Sequence, residues 1–81
     1  MATALELYEQ SRADCQRVLG PYHPDTLAAQ ANLAYAWYAM GRRNQAVVLL
    51  RGTLADCEQV LPPGDPLTAA VRESLAAAEQ G

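Results

Sequence analysis

The feature that most constrains the fold of this chain is an internal repeat with a period of 42 residues. When the sequence is shifted by 42 positions, segment 13–34 aligns with segment 55–76. Eleven residues of the first segment meet an identical residue in the second: Ala13, Asp14, Cys15, Val18, Leu19, Pro21, Pro24, Thr26, Ala28, Leu33 and Ala34. Because a period of about 20–50 residues is typical of one supersecondary unit stacked on its copies, the chain is predicted to be a duplicated unit.

The spacing of the apolar residues indicates that the repeated unit is a pair of helices. Between residues 43 and 61 they recur at alternating steps of three and four, on one helical stripe: Val47, Leu50, Leu54, Cys57 and Leu61. The segment 24–40 has two such stripes, so it must be covered on two sides. Gly52 lies inside the third helix, where glycine costs about 0.8–1 kcal/mol relative to alanine, and no feature of the sequence accounts for it.

Proline, glycine and capping residues mark where the helices begin and end. Pro24 and Pro66 suit the first turn of a helix, with His23 and Asp65 at the preceding N-cap position. Gly41 suits the left-handed residue that follows a helix. The chain is therefore predicted to form one domain, residues 1–81, with four helices near 3–19, 24–40, 43–61 and 66–79.

Charge and hydropathy exclude several kinds of partner. The net charge is −3 and the basic residues are scattered, so no cationic surface is available for a phosphate backbone. No apolar run approaches the roughly 20 residues of a membrane span, and the N-terminal segment lacks the basic flank and apolar core of a signal peptide. We expect a cytoplasmic protein that binds neither nucleic acid nor membranes.

The cysteines and the single histidine predict neither a metal site nor a catalytic site. Cys15 and Cys57 are equivalent positions of successive repeats, so their backbones should lie farther apart than the ~7 Å limit for a disulfide. Together with His23 they fall short of the four ligands of a structural zinc site. No serine or cysteine is spaced to work with His23 and an orienting acid, so we predict no enzymatic activity and no cofactor.

The tripeptide His23-Pro24-Asp25 raises one alternative. J-domain co-chaperones, which are also small and helical, carry His-Pro-Asp in the loop between two helices, where it stimulates an Hsp70 ATPase. In the 42-residue alignment the tripeptide meets Asp65-Pro66-Leu67, which retains only the proline. The helix before it also lacks the basic character of the J-domain helix. We therefore interpret the tripeptide as an inter-repeat loop, an N-cap and a helix-starting proline.

The segment NLAYAWYAMGRRNQAVVLL resembles helix A, turn and helix B of a tetratricopeptide repeat. The matching positions are Leu33 with Ala34, Trp37, Gly41 and Ala46. The 42-residue period and the phrase HPDTL…NLA resemble more narrowly the long variant found in kinesin light chains and in bacterial signalling and regulatory proteins. The resemblance implies an all-α fold of antiparallel helix pairs, a tetratricopeptide-type superhelix or solenoid.

The same alignment predicts the order of the helices. The first helix aligns with the third and is therefore a helix B, so the phase is B-A-B-A. Such an order is expected at the end of a longer array, and a polar outer side on the fourth helix favours the C-terminal end. Small residues at Ala34 and Ala46 should let the paired helices approach to about 8–10 Å. Trp37 occupies a signature packing position and is expected in the core.

What the resemblance implies about function is protein binding. Tetratricopeptide arrays take up peptides or partner helices on a concave surface lined mainly by A helices. The residues that correspond to this surface are Ala28, Ala31, Asn32, Tyr35, Tyr38, Ala39, Ala70, Glu73, Ser74, Ala77 and Gln80. Asn32 either bonds the backbone of a bound peptide or is an ordinary polar helix residue. Tyr35 and Tyr38 either anchor a ligand or, as favoured for Tyr38, pack between helices.

Two further expectations concern the partner. Members of the family that bind chaperone tails clamp a terminal carboxylate with cations, but Ala70 and Ser74 occupy those positions here, so this mode is disfavoured. The alternative function is structural self-association. Leu5, Leu7 and Tyr8 would form an apolar patch on the first helix through which two copies could make a homodimer.

Overall fold

The computed structural model describes residues 3–80, which form four α-helices and no strand. Helix α1 spans Ala4–Leu19, α2 spans Pro24–Ala39, α3 spans Arg43–Val60 and α4 spans Pro66–Gln80. All four predicted helices are present, and each boundary lies within one residue of its predicted position. The all-α prediction is confirmed.

The helix starts at equivalent positions of the two repeats are capped in the same way. His23 precedes α2, and its Nδ1 accepts a hydrogen bond of 3.1 Å from the backbone N–H of Asp25. Asp65 precedes α4, and its Oδ1 accepts one of 2.9 Å from the N–H of Leu67. A side-chain acceptor at this position satisfies an N–H of the first turn that has no partner within the helix. The predicted cap at His23 is therefore confirmed.

The turn between α2 and α3 depends on a left-handed glycine. Gly41 has a φ of 84°, as its place after the helix predicted. Its N–H donates to the Tyr38 carbonyl at 3.1 Å, and the N–H of Arg42 donates to the Trp37 carbonyl at 2.8 Å. These two bonds form a Schellman motif, which ends α2 and sends the chain back along it.

The helices form two layers. Helix α2 packs on α1, α3 and α4, and α3 packs on α2 and α4. Within residues 3–80, no Cα atom of α1 lies within 8 Å of a Cα atom of α3. The A helices α2 and α4 thus form one layer and the B helices α1 and α3 the other, in a body of 38 × 34 × 17 Å. This is the predicted B-A-B-A arrangement.

The core lies where α2, α3 and α4 meet. It is built from small and aliphatic side chains at helical spacing: Leu27, Ala34, Leu50, Cys57, Val71, Leu75 and Ala78. Ala34 and Ala46 are completely buried, as expected for the positions where paired helices approach most closely. In contrast, α1 contains no buried residue, because only one of its sides is covered by α2.

Two features of the interior differ from expectation. Trp37 was predicted in the core but is only half-buried, because it lies on the wall of a cleft between α1 and α3. The interior also holds four polar side chains that the apolar pattern did not predict, namely Thr26, Gln30, Thr53 and Thr68. Of these, Thr26 donates from its hydroxyl to the Gly20 carbonyl at 2.7 Å and so closes the loop before α2.

Candidate peptide-binding groove

The A-helix layer carries a small slot between α2 and α4. It has a volume of about 120 Å³, and its lining consists of Tyr35, Tyr38, Leu50, Ser74, Ala77 and Ala78. Leu50 of α3 forms the floor, since it is 2% exposed and belongs to the core. At about 30 Å³ per water molecule, the volume corresponds to roughly four waters. That is room for one side chain of a ligand rather than for a whole small molecule.

The two tyrosines contribute unequally to this slot. Tyr35 is 69% exposed, whereas Tyr38 is 39% exposed and reaches further between the helices. They are three residues apart and therefore lie on the same face of α2. A pair of aromatic rings beside an apolar floor offers a large contact area with little loss of side-chain entropy on binding.

The structure brings together only part of the predicted binding set. Tyr35, Tyr38 and Ser74 line the slot, and Ala77, from the same predicted surface, lines it too. The other residues of the predicted binding set lie outside the slot, with Asn32 and Glu73 exposed and Ala28 and Ala31 half-buried. No residue of the slot is charged.

Asn32 is on the exposed side of α2, four residues before Ala36 and three before Tyr35. Within residues 3–80 its side chain makes no hydrogen bond, so its amide can both donate to and accept from a ligand. Asn32 lies one turn from the slot. Its amide is therefore suited to contact the backbone of a peptide whose side chain fills the slot.

Three arginines of the described residues make contacts outside the slot. Arg72 pairs with Glu58 at 3.5 Å and Arg51 pairs with Glu79 at 3.0 Å. Arg43 donates from Nε to the Ala78 carbonyl and from a terminal nitrogen to the Glu79 carbonyl, so it caps the C-terminal end of α4. The slot therefore has no guanidinium with which to bind a terminal carboxylate.

A larger cleft opens on the opposite layer, between α1 and α3, and sequence reasoning missed it. Its volume is about 530 Å³, and its lining consists of Arg12, Gln30, Trp37, Asn44, Gln45, Val48, Leu49, Gly52, Thr53 and Asp56. Arg12 is half-buried there, and its Nε is buried without a hydrogen-bond partner among the described residues. The one sequence signal was Gly52, whose missing side chain leaves the cleft wall open.

The thiol of Cys57 lies in the core. Burial raises the pKa of the Cys57 thiol, and the nearby carboxylates of Asp56, Asp65 and Glu58 raise it further, while the Thr68 hydroxyl acts in the opposite direction. A raised pKa keeps the sulfur protonated and unreactive, because the thiolate is the nucleophile. Cys15 and Cys57 are both free thiols. Residues 3–80 contain no cluster of three His, Cys, Asp or Glu side chains that could hold a metal ion.

The two layers of alternating A and B helices define a helical-repeat protein, the class in which stacked helix pairs bury a continuous core. Comparison with known families then identifies the repeat: the pattern of the tetratricopeptide repeat family matches residues 1–59, and the chain belongs to that family. None of the helices in the described part is long and apolar enough to cross a membrane.

Two relatives come from Arabidopsis thaliana and are named Protein KINESIN LIGHT CHAIN-RELATED 2 and Protein KINESIN LIGHT CHAIN-RELATED 3. Each is 45% identical to this chain over 47 residues, which is 58% of the chain and 7% of the relative. The chain thus spans a small part of the length of the curated relatives it matches. No solved structure matches it.

Proposed function

We propose that this chain is a protein-interaction module that binds an extended peptide, or a segment of a partner protein, across the groove between α2 and α4. Tetratricopeptide repeats are in general modules for protein–protein interaction, and family members are typically scaffolds without enzymatic activity. The observation that carries the proposal is the apolar slot between Tyr35, Tyr38 and Ser74.

The chemistry of the groove defines how such a ligand would be held. One apolar side chain fills the slot against Leu50, and the amide of Asn32 bonds the ligand backbone. Glu73 is the only charged residue of the predicted binding surface, so the groove favours a neutral or basic segment over an acidic one. An acidic C-terminal tail is a poor ligand, because no cation is placed to pair with it.

The test begins with selection of a random peptide library on the 81-residue protein. Binding of the selected peptides is then measured by fluorescence polarisation. Tyr35→Ala should weaken binding about tenfold or more, as expected for loss of an aromatic anchor. Tyr22→Ala is the matched control, since Tyr22 is 56% exposed and lies in the loop before α2, away from the slot. Peptides that bind the two variants equally well would contradict the groove.

A cytoplasmic location belongs to the same proposal. Both cysteines are free thiols, and reducing compartments keep thiols in that form.

Self-association through α1 is the second candidate function. It is favoured by exposed apolar side chains on that helix, where Leu7 is 56% and Tyr8 is 38% exposed, with Leu5 half-buried beside them. Sedimentation velocity across a wide range of concentration separates the two functions. A dimer that Leu7→Lys dissociates would support self-association, and a monomer that binds peptides supports the groove.

A further inference from the structure

Arg12 of α1 differs from the other arginines of the described residues, because it is half-buried whereas the other five are exposed. Its Nε is buried without a hydrogen-bond partner, and its guanidinium forms no ion pair with a carboxylate of residues 3–80. A cation that is partly withdrawn from water is costly unless an anion accompanies it. The position of Arg12 therefore indicates a place for a negatively charged group.

Arg12 lines the cleft between α1 and α3, which we call the α1–α3 cleft. Its volume of about 530 Å³ falls within the range of roughly 300–1,000 Å³ that is typical of pockets for small molecules. Most of the lining surface is apolar, and it includes large side chains that stay accessible, since Trp37 is half-buried and Val48 is 70% exposed. Helices α1, α2 and α3 all contribute to the lining. The cleft therefore offers contacts for the apolar body of a small ligand beside a cation.

The cation and the aromatic ring lie toward opposite ends of the α1–α3 cleft. In the 42-residue alignment Arg12 corresponds to Leu54, so it lies at the level of residues 52–56 of α3. Trp37 lies next to the turn that joins α2 to α3, near residues 44 and 45, which also line the cleft. Residues 45 and 52 are separated by about 10 Å along the helix axis. A ligand that reaches both ends needs an anionic group at one end and an apolar group at the other.

The polar neighbours of Arg12 favour a single carboxylate as the anionic group. Gln30 Oε1 lies 3.0 Å from Thr53 Oγ1, so the amide N–H groups are what Gln30 can offer to a ligand in the cleft. Donors from an amide and a guanidinium suit the two oxygens of a carboxylate. Asp56, the other charged residue of the lining, is half-buried and forms no ion pair within residues 3–80. Its negative charge disfavours a doubly charged group such as a phosphate.

We propose that the α1–α3 cleft binds a small carboxylic acid, with the carboxylate at Arg12 and an aromatic or other apolar body along Val48, Leu49 and Trp37. The carboxylate supplies the counterion that Arg12 lacks among residues 3–80. This site is on the opposite layer from the groove between α2 and α4 and does not depend on it.

The test is titration of the 81-residue protein with 4-phenylbutyrate, which has a carboxylate at one end and a phenyl ring at the other. Trp37 is the only tryptophan of the sequence, so its fluorescence reports directly on the α1–α3 cleft. We expect a saturable change with a Kd on the order of 1 mM, as is usual for so small a ligand. Amide NMR shifts should map the contact to residues 48–53. The uncharged 4-phenylbutyramide should bind at least about tenfold more weakly.

Arg12→Gln should weaken binding of the acid at least about tenfold and remove its advantage over the amide, because the cation is lost. Arg17→Gln is the matched control. Arg17 is exposed on the same helix and pairs with Asp14, so its replacement changes the net charge equally but leaves the lining intact. This variant should bind the acid as the unchanged protein does.

Gly52→Leu tests the α1–α3 cleft without removing Arg12. A Cβ at position 52 meets no atom within 4 Å, so the variant should fold, and its side chain should occupy part of the cleft that Gly52 lines. Binding of the acid should fall at least about tenfold. Ala55→Leu, at an exposed position of α3 outside the lining, is the control and should leave binding unchanged.

Circular dichroism verifies that each variant is folded before its binding is compared. Any one of four results would overturn the proposal. They are absence of saturable binding, equal binding of the acid and the amide, undiminished binding to folded Arg12→Gln or Gly52→Leu protein, and NMR shifts confined to the groove between α2 and α4.

Discussion

Gln30 of α2 and Thr53 of α3 meet inside the protein, with 3.0 Å between Oε1 and Oγ1. Gln30 is 6% exposed and Thr53 is completely buried, so neither group can turn to solvent for another partner. Thr53 Oγ1 also lies 2.8 Å from the Leu49 carbonyl one turn earlier in its own helix. This polar contact therefore joins α2 to α3 inside the core.

Removing Thr53 alone should cost more than removing both members of this pair. Thr53→Val leaves the buried Gln30 amide oxygen without its partner, at a cost of about 1–3 kcal/mol in the free energy of unfolding. Gln30→Leu should cost less, because the Thr53 hydroxyl keeps the Leu49 carbonyl as a partner. The double variant replaces both groups by apolar ones and should be less destabilised than the sum of the single variants. Urea unfolding of the four proteins measures this coupling. Strict additivity of the two changes would show that the pair does not act as a unit.

Ala46→Leu should destabilise the protein by about 1–3 kcal/mol, because a completely buried alanine leaves no room for three more carbons. For a domain of this size the thermal midpoint should fall by about 4–8 °C per kcal/mol. Ala55→Leu, at an exposed position of the same helix, is the control and should melt nearly as the unchanged protein does. An unchanged melting curve for Ala46→Leu would contradict close packing at this position.

Gly52→Ala should raise the free energy of unfolding by about 0.8–1 kcal/mol, because Gly52 is inside α3 and alanine is the better helix former. A methyl group there meets no atom within 4 Å. Gly41→Ala should instead lower the free energy of unfolding, since Gly41 has a φ of 84°, which residues with a side chain rarely adopt. Thermal or urea unfolding measures both. Destabilisation by Gly52→Ala would indicate a packing role that the helix does not show.

Stability should fall with rising pH as Cys57 begins to titrate in the unfolded chain. In the unfolded state the thiol loses its proton near pH 8.5, whereas in the folded state burial holds the pKa above its ordinary value. Between these two pKa values the unfolded state binds fewer protons, so the free energy of unfolding decreases with pH. The stability that the buried Cys57 thiol contributes is complete below its pKa in the unfolded state. It is lost as the pH rises toward its pKa in the folded state.

Urea unfolding from about one unit below to about one and a half units above the ordinary thiol pKa tests this dependence against Cys57→Ala. The variant loses stability overall from the missing sulfur but should show a shallower decline with pH. Cys15→Ala is the control, and its decline should match that of the unchanged protein. If the free energy of unfolding declined equally with pH in all three proteins, the assignment of this decline to Cys57 would be contradicted.

The helices and their order could be predicted because the signals for them are local or repeat along the chain. The caps at His23 and Asp65, the turn at Gly41 and the 42-residue alignment each depend on residues near in sequence, and the structure confirms them. The groove was predicted less completely. Family correspondence placed Tyr35, Tyr38 and Ser74 on one surface, but the slot also needs Leu50 of α3 as its floor.

The sequence by itself determined that this protein is a duplicated pair of helices in the order B-A-B-A, because helix periodicity, caps and a repeat are properties of the chain. Only the tertiary structure decided which side of each helix is covered. The partly exposed Trp37, the buried pair of Gln30 and Thr53 and the exposed Leu7 of α1 all depend on which helices stand next to one another. Tyr8 on α1 is 38% exposed and its equivalent Leu50 on α3 only 2%, because α2 and α4 enclose α3, and no pattern within one helix records its neighbours.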